Sequence, residues 1–185
     1  NDHEIWNSGG SERFVRGHIV ASYDRVYSQD ANEQTFYYSN ISPMYSRFNT
    51  GAWSDCEGLV QGWGRNSSFC DTLYVVKGGT IREGEYRKVD ICPTVPNYYF
   101  MALLCLKNNT YKAIGLLFKH VNGSSRTEVC SIDFLERFTF KEGVIAKRLS
   151  GLCHGDTCKI CRIESFCKIG LCRSKNIAEI VVLRA

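Results

Sequence analysis

The sequence predicts an α+β fold built mainly on an antiparallel sheet, and three observations support this prediction. Short runs rich in aromatic and β-branched residues recur along the chain and are bounded by Gly, Asn and Ser clusters, which is typical of strands. Few stretches are helical candidates. The turn-forming sequence NNT at 108–110 lies between two apolar runs, which favours a hairpin and therefore antiparallel pairing.

Four runs are predicted to be strands of one sheet, because each is rich in aromatic and β-branched side chains and bounded by turn formers. They are QTFYYSNI at 34–41, TLYVV at 72–76, YYFMALLCL at 98–106 and AIGLLF at 113–118. Two further stretches are predicted to be helical. The first is 46–62, in which three glycines lower the helix propensity, and the second is 131–138, with Ser131 or Asp133 as its N-cap.

Composition places the chain among folded globular proteins. It has 185 residues, of which 44% are hydrophobic and 23% charged, and a chain of this length can bury about 70% of the surface that its unfolded form exposes. The longest apolar run, 98–106, is far shorter than the roughly 20 residues of a membrane span, so we expect no membrane insertion. The formal net charge of +4 is compatible with a polyanionic partner but does not require one.

Cysteine content indicates an oxidising compartment, because a cytosolic protein rarely keeps ten thiols. Four Asn-x-Ser/Thr glycosylation acceptors point the same way: Asn40, Asn66, Asn108 and Asn122. The sequence starts at Asn1 with no charged and apolar leader, as expected of a processed form. We therefore expect a secreted, extracellular protein.

The C-terminal segment differs from the rest of the chain. Five cysteines fall within twenty positions: Cys153, Cys158, Cys161, Cys167 and Cys172. Disulfides are the favoured interpretation, and a zinc knuckle at Cys158 and Cys161 with His154 is the alternative. Because the other five cysteines lie in 1–150, complete pairing would require at least one bridge between this segment and the remainder. We predict a domain at 1–150 and a disulfide-rich extension at 151–185 that packs on it.

An ordered set of motifs lies between residues 15 and 57. VRGHIVAS at 15–22 is followed by SNISP at 39–43, NTGAW at 49–53 and Glu57. Each motif alone is ordinarily a turn, a cap or a solvated helix face. Together they resemble the signature of the DNA/RNA non-specific endonuclease family, the ββα-metal nucleases, in which Asp-Arg-Gly-His precedes Ser-Asn-Ile-Ser/Thr-Pro, Asn-x-Gly-x-Trp and a Glu eight residues after the Asn.

The resemblance continues more weakly through three later segments and covers roughly residues 13 to 145. LYVVKGG at 73–79 is similar to the family's strand and Gly turn, VPNYYFMALL at 95–104 to a central strand, and SIDFLERFT at 131–139 to a late helical segment. The resemblance implies an antiparallel sheet that carries a ββα-metal motif.

The resemblance also implies a set of site residues with roles. His18 would be the general base, Arg16 would hold the phosphate or its departing charge, and Asn40 would steady His18 or the hydration shell of a metal ion. Asn49 would bind that ion, Mg²⁺ or in its place Mn²⁺ or Ca²⁺, and Glu57 would orient a hydrating water. The implied partners are DNA and RNA, without sequence preference.

The chemistry of these residue types agrees with the implied roles. Imidazole exchanges protons near neutral pH, and an amide oxygen is a hard ligand suited to Mg²⁺, which keeps most of its waters. If 46–62 were a regular α-helix, Asn49, Trp53 and Glu57 would form one stripe that drifts by only about 80°. Such a stripe would place the ligand and the carboxylate on the same side.

The sequence departs from the family pattern at Val15, where the family has an aspartate. If the site is active but poorly supported, Val15→Asp should raise activity; if Glu12 or a backbone carbonyl supports Arg16 instead, the same change should bury an unpaired charge. Two functional hypotheses follow. One is an active secreted endonuclease, and the other is a weak or inactive nuclease-like protein with a binding or structural role.

Overall fold

A computed structural model of the chain describes residues 5–7, 13–81, 87–88, 94–142 and 178–184. The predicted domain boundary at residue 150, the tail cysteines with His154, and Glu12 lie outside these ranges, and the predictions made for them stay predictions.

The N-terminal half contains a small sheet followed by helices. Its elements are β1 (Ile5–Asn7), β2 (Arg13–His18), a 3₁₀ turn (Ser22–Arg25), α1 (Gln29–Gln34), a second 3₁₀ turn (Tyr38–Asn40), β3 (Ile41–Tyr45), α2 (Ser46–Phe48), a π-helical turn (Asn49–Trp53) and α3 (Ser54–Arg65). The three strands form an antiparallel sheet in the order β1-β2-β3. The pair β2 and β3 followed by α3 is a ββα arrangement.

The remaining described elements comprise a larger sheet, a separate two-stranded sheet and one helix. They are β4 (Thr72–Thr80), β5 (Arg87–Lys88), β6 (Thr94–Val95), β7 (Tyr98–Lys107), β8 (Thr110–Lys119), β9 (Thr127–Cys130), α4 (Ile132–Glu142) and β10 (Ala178–Arg184). Five strands pair in the order β10-β4-β7-β8-β9, all antiparallel, and β5 pairs with β6. The chain thus combines antiparallel sheets with few helices, and no helix within the described ranges is long and apolar enough to cross a bilayer.

The central strand β7 divides two hydrophobic clusters by its alternation. Tyr99, Met101 and Leu103 face a cluster that includes residues of β2, β3 and α3, whereas Phe100 and Leu104 face a second cluster beneath α4. Because successive side chains of a strand point to opposite faces, a strand buried on both faces must be a continuous apolar run. This explains why 98–106 is the longest such run in the sequence.

Two predicted local features are confirmed. Asn108 and Asn109 connect β7 to β8 with φ values of 47° and 59°, the left-handed conformation that a two-residue hairpin turn requires and that Asn tolerates. Ser131 caps α4, since its Oγ accepts a hydrogen bond of 3.2 Å from the backbone N–H of Phe134.

One predicted strand and one expected turn are wrong. The segment 34–41 is the end of α1 followed by 3₁₀ structure, and the strand begins only at Ile41, because Ser28 caps a helix whose turns continue through Tyr37 N–H to Gln34 O. The turn expected at the two glycines of LYVVKGG is absent, since Gly78 and Gly79 pair with Phe100 and Tyr99 inside β4.

One disulfide lies within the described ranges. It joins Cys70, which follows α3, to Cys105 near the end of β7, and it closes a loop of 35 residues. The thiols of Cys56 and Cys130 are free. The bridge therefore ties the helical layer to the large sheet at the end of β7.

We expect loss of this bridge to destabilise the protein by about 3 to 4 kcal/mol, the chain-entropy value for a loop of 35 residues. The measurement is guanidinium unfolding of the Cys70→Ser, Cys105→Ser double variant. Cys130→Ser, which removes a thiol that makes no bridge, is the matched control and should change the free energy of unfolding much less. An equal change in the free energy of unfolding for the double variant and for Cys130→Ser would contradict the prediction.

Candidate active site

Arg16 and His18 lie on the same face of β2, because they are two residues apart on one strand. The glycine between them is dictated by packing. A Cβ atom on Gly17 would lie 2.3 Å from Sδ and 2.5 Å from Cγ of the fully buried Met44, so the methionine side chain would have to shift within the core. The Arg-Gly-His tripeptide is therefore a strand segment pressed against β3 and presents two functional side chains on one face.

Trp53 holds His18 to the helical layer. Its indole Nε1 donates a hydrogen bond of 3.1 Å to the backbone oxygen of His18, and the Trp53 side chain is buried in the main aromatic cluster. The His18 ring packs edge-on against Phe36 with ring centroids 5.1 Å apart. His18 is half-buried and its ring nitrogen Nε2 is shielded from solvent, so the ring is anchored at the end of β2.

A second described histidine, His120, has a structural environment. Its Nε2 accepts a hydrogen bond of 2.9 Å from the Tyr45 N–H, and its Nδ1 lies 2.8 Å from the Pro96 oxygen. These two partners fix a neutral tautomer in the aromatic core, where the ring is 2% exposed. The candidate base among the described histidines is therefore His18.

Asn40 is a buried clamp on the segment that follows His18. Its Nδ2 donates to the Val20 oxygen at 2.9 Å and to the Thr35 oxygen at 2.7 Å, and its Oδ1 accepts from the Val20 N–H at 2.9 Å. The Asn40 backbone oxygen accepts a further bond from the Ile19 N–H. The geometry thus gives Asn40 the means to steady His18 through the backbone.

The burial of Asn40 also bears on glycosylation. Both hydrogens of its amide are donated and the residue is 3% exposed, so the folded protein has no room for a glycan at this position. The other acceptors, Asn66, Asn108 and Asn122, are exposed.

The regular helical stripe expected for Asn49, Trp53 and Glu57 is wrong. Residues 49–53 form a π-helical turn in which Gly51 has non-helical angles of φ −113° and ψ −109°, so α-helical spacing does not apply between Asn49 and Trp53. Glu57 lies one α-helical turn beyond Trp53 in α3. Asn49 and Glu57 therefore flank the residue that is bonded to His18.

The environment of Asn49 fits a hard cation. The residue is half-buried, and within the described part of the chain its amide makes no hydrogen bond, which leaves its oxygen able to act as a ligand. No group of three or more His, Cys, Asp or Glu side chains able to hold a metal occurs among the residues that the structure describes.

Glu57 belongs to a buried ionic network. Lys77 on β4 contacts Glu57 Oε1 at 2.8 Å and Asp24 Oδ2 at 2.7 Å, and Asp24 Oδ1 also accepts a bond of 2.7 Å from Gln61. The side chains of Lys77, Asp24 and Glu57 are 2%, 1% and 12% exposed. The network joins β4, the 3₁₀ turn after β2, and α3.

Two carboxylates share one ammonium in this network. Burial and the neighbouring charges together shift the pKa values of Lys77 and Glu57. Burial acts to lower the pKa of Lys77, but the charges of Glu57 and Asp24 outweigh it and raise that pKa above its usual value. Burial raises the pKa of Glu57; the charge of Lys77 opposes this, and the charge of Asp24 adds to it. The network therefore keeps Lys77 charged, whereas burial makes the charged form of Glu57 less favourable.

Lys77 and Asp24 were not among the site residues expected from sequence. A signal was present, since Lys77 interrupts the apolar run LYVV, and a lysine in a buried strand must be paired with a carboxylate to be tolerated. Sequence does not identify which carboxylates pair with it, because Asp24 and Glu57 are 53 and 20 residues away along the chain.

Val15 is buried, at 8% exposure, and pairs across the sheet with Met44. An aspartate there would place a carboxylate against a fully buried methionine. Of the two outcomes expected for Val15→Asp, this packing supports loss of stability through an unpaired buried charge.

Removing Lys77 should strongly destabilise the fold. We expect Lys77→Met to cost about 3 to 5 kcal/mol, since it leaves two buried carboxylates without their counter-charge. Lys107 is the matched control, because it forms an ion pair of similar length, 2.9 Å, with Asp71 but at 35% and 45% exposure. Lys107→Met should cost about 1 kcal/mol or less.

Urea unfolding of both variants at neutral pH is the measurement. If Lys77→Met were as stable as Lys107→Met, the network would not be the structural anchor that its burial indicates.

Comparison with known proteins agrees with this arrangement. Residues 3–146 match the sequence profile of the DNA/RNA non-specific endonuclease family. Nuclease C1 of Cunninghamella echinulata var. echinulata is 24% identical over 167 residues, which are 80% of this chain and 64% of that protein. Mitochondrial nuclease EXOG of Danio rerio is 24% identical over 171 residues, 82% of this chain and 49% of that protein.

A shorter segment is more similar to another relative. Human mitochondrial endonuclease G is 41% identical over 44 residues, 24% of this chain and 15% of that protein. The chain thus spans between about half and two thirds of the length of nuclease C1 and EXOG. Because the profile match at 3–146 covers most of the chain and contains the ββα arrangement with Arg16 and His18, the chain belongs to the DNA/RNA non-specific endonuclease family.

Proposed function

We propose that this protein is a secreted, Mg²⁺-dependent endonuclease that hydrolyses phosphodiester bonds of DNA and RNA without sugar or sequence specificity. The observation that carries the proposal is the Trp53 to His18 hydrogen bond of 3.1 Å. It holds the helical layer bearing Asn49 and Glu57 against the strand bearing Arg16 and His18. Weak sequence preference follows from a site that contacts the backbone, because phosphates carry no base information.

In the proposed reaction His18 is the general base. It accepts a proton from a water that attacks the phosphorus, and as the new P–O bond forms, the bond to the leaving oxygen breaks. The leaving oxygen then takes a proton from solvent. The anchored position of His18 at the end of β2 orients its ring for this transfer.

Arg16 and Glu57 act on charge and orientation. The guanidinium of Arg16, on the same strand face as His18, holds a phosphate oxygen by charge-assisted hydrogen bonds. Glu57 bonds to Lys77 through Oε1, so its second oxygen can accept a hydrogen bond from a water near the phosphate. Lys77 therefore fixes the direction of the Glu57 carboxylate.

Asn49 would hold the divalent cation through its amide oxygen. When bound, that ion supplies Lewis-acid stabilisation of charge on the phosphoryl oxygens. Mn²⁺ and Ca²⁺ share the preference for oxygen ligands and are the alternatives to Mg²⁺.

Secretion is supported by cysteine chemistry. The Cys70 to Cys105 disulfide and the exposed acceptors Asn66, Asn108 and Asn122 are features of an oxidising compartment. Location is tested by glycan and disulfide mapping of the natural protein.

A nuclease-like protein of weak or no activity is the second candidate. The buried Val15 in place of the family's aspartate favours it, because a valine side chain at this position can pack but cannot hydrogen-bond. Incubation of the wild-type protein with plasmid DNA and with RNA, with and without EDTA, separates the two. Cleavage that EDTA abolishes supports the first, whereas intact plasmid and RNA at all Mg²⁺ concentrations support the second.

If His18 is the base, His18→Ala should lower the cleavage rate by about 10² to 10⁴-fold, the usual contribution of general-base catalysis. The thermal unfolding midpoint should change little, because the bond from Trp53 reaches the His18 backbone and survives the substitution. Rates are measured on supercoiled plasmid at saturating Mg²⁺. Near wild-type cleavage by this variant would remove His18 from the mechanism.

If Asn49 binds the ion, Asn49→Ala should raise the Mg²⁺ concentration at half-maximal cleavage by about tenfold or more, since loss of even an outer-shell partner has effects of that size. Asn122→Ala, at an exposed position outside the ββα arrangement, is the matched control and should leave the titration unchanged. An identical Mg²⁺ titration for Asn49→Ala and wild type would exclude Asn49 as the ligand.

A further inference from the structure

Three consecutive aromatic residues between α1 and β3 are exposed to solvent. Phe36, Tyr37 and Tyr38 are 51%, 62% and 74% exposed. Large aromatic side chains normally gain stability by burial, so a run of three left in water requires another explanation.

Two of these rings lie against the proposed catalytic side chains. The ring of Phe36 is 5.1 Å from the ring of His18, and the ring of Tyr38 is 5.4 Å from the guanidinium carbon of Arg16. Tyr37, between them, lines a cavity of about 200 Å³ together with Arg25. Phe36 and Tyr38, which we call the aromatic platform, therefore border the position where the scissile phosphate would lie.

The backbone of this segment is held in place. The N–H groups of Phe36 and Tyr37 donate to Glu33 and Gln34 oxygens at 3.0 and 3.2 Å, and the Asn40 N–H donates to Tyr37 at 2.8 Å. The conformational entropy of this backbone segment is therefore lost when the protein folds and not when a ligand binds, which favours binding by the platform.

The contacts within the protein leave much of each ring uncovered. Phe36 meets His18 edge-on, and Tyr38 places one face over Arg16, yet half or more of each side chain remains exposed. Nucleic-acid bases are the ligand that matches an aromatic surface beside a phosphate-binding arginine, because every base has a stacking face of the same kind.

We propose that Phe36 and Tyr38 form a base-stacking platform that makes this site prefer single-stranded nucleic acid, DNA or RNA, over duplex. The inference rests on the proposed function and narrows its substrate class. A base in a duplex is stacked on both faces, so it reaches the platform only after unstacking, which costs free energy that an unpaired base does not spend. Stacking does not depend on base identity, so the site stays sequence-tolerant.

The test uses three DNA probes: a single strand of mixed sequence, the same strand with abasic residues at its centre, and the matching duplex. Binding is measured by fluorescence anisotropy in EDTA, so that no cleavage intervenes, and cleavage is measured separately with Mg²⁺. The variants are the double variant Phe36→Ala, Tyr38→Ala, and the ring-preserving double variant Phe36→Tyr, Tyr38→Phe. Tyr37→Ala is the matched control from the same segment.

We expect the double alanine variant to bind the base-bearing strand more weakly than wild type. The loss should be about 5 to 100-fold for each base that no longer stacks. Its binding to the abasic strand and to duplex should change less than about twofold. The ring-preserving variant and Tyr37→Ala should bind the single strand nearly as well as wild type. This pattern would show that the two rings contact the bases, because loss of rings with a purely structural role would weaken the binding of all three probes.

Equal loss of binding to base-bearing and abasic strands, or no preference of the wild type for single strands, would overturn the platform. The cleavage assay keeps this result separate from the proposed function. If binding depends on the two rings but neither the wild type nor any variant cleaves, the platform proposal stands and the proposed hydrolytic activity is wrong. If single strands are cleaved and the double alanine variant cleaves them equally well, the proposed activity stands and the platform proposal is wrong.

Discussion

The buried ammonium of Lys77 is the interaction on which the rest of the site depends. It lies on β4, inside the large sheet, and reaches both Asp24 and Glu57 at hydrogen-bonding distance. Because charge in a buried setting is tolerated only with its partners in place, an arrangement that separated these three elements would leave a buried charge unpaired. The network thereby fixes the orientation of α3 relative to the large sheet and to the segment that leaves β2.

The same network sets the electrostatics of the site. Two carboxylates face one ammonium, and burial raises the pKa of Glu57 because it disfavours the charged carboxylate. A divalent cation near Asn49, on the preceding helical turn, would act in the opposite direction, because a nearby positive charge favours the ionised carboxylate. Lys77 thus supports the proposed chemistry in two ways: it orients the carboxylate of Glu57 by a hydrogen bond, and its positive charge favours the ionised form of that carboxylate.

Features of the fold that have local causes were predictable from the sequence, whereas features that depend on tertiary contacts were not. The hairpin at Asn108 and Asn109 and the cap at Ser131 were predictable, because turn and cap chemistry acts over a few residues. The strand predicted at 34–41 failed because aromatic β-propensity reflects burial against neighbours, and Phe36 is exposed. The site motif singled out Arg16 and His18 without predicting the strand β2 on which both lie, and Lys77 pairs over long sequence separations that no local pattern encodes.

Asn40 links the binding and catalytic parts of the proposed site. Its Nδ2 donates on one side to Thr35, which precedes the aromatic platform, and on the other to Val20, which follows His18. An aspartate of the same shape would lack both donated hydrogens, and a serine would not span the two carbonyls, so only an amide satisfies this position fully. Since one buried side chain holds the backbone on both sides, the spacing between platform and base is set by the fold and does not have to be formed by the substrate.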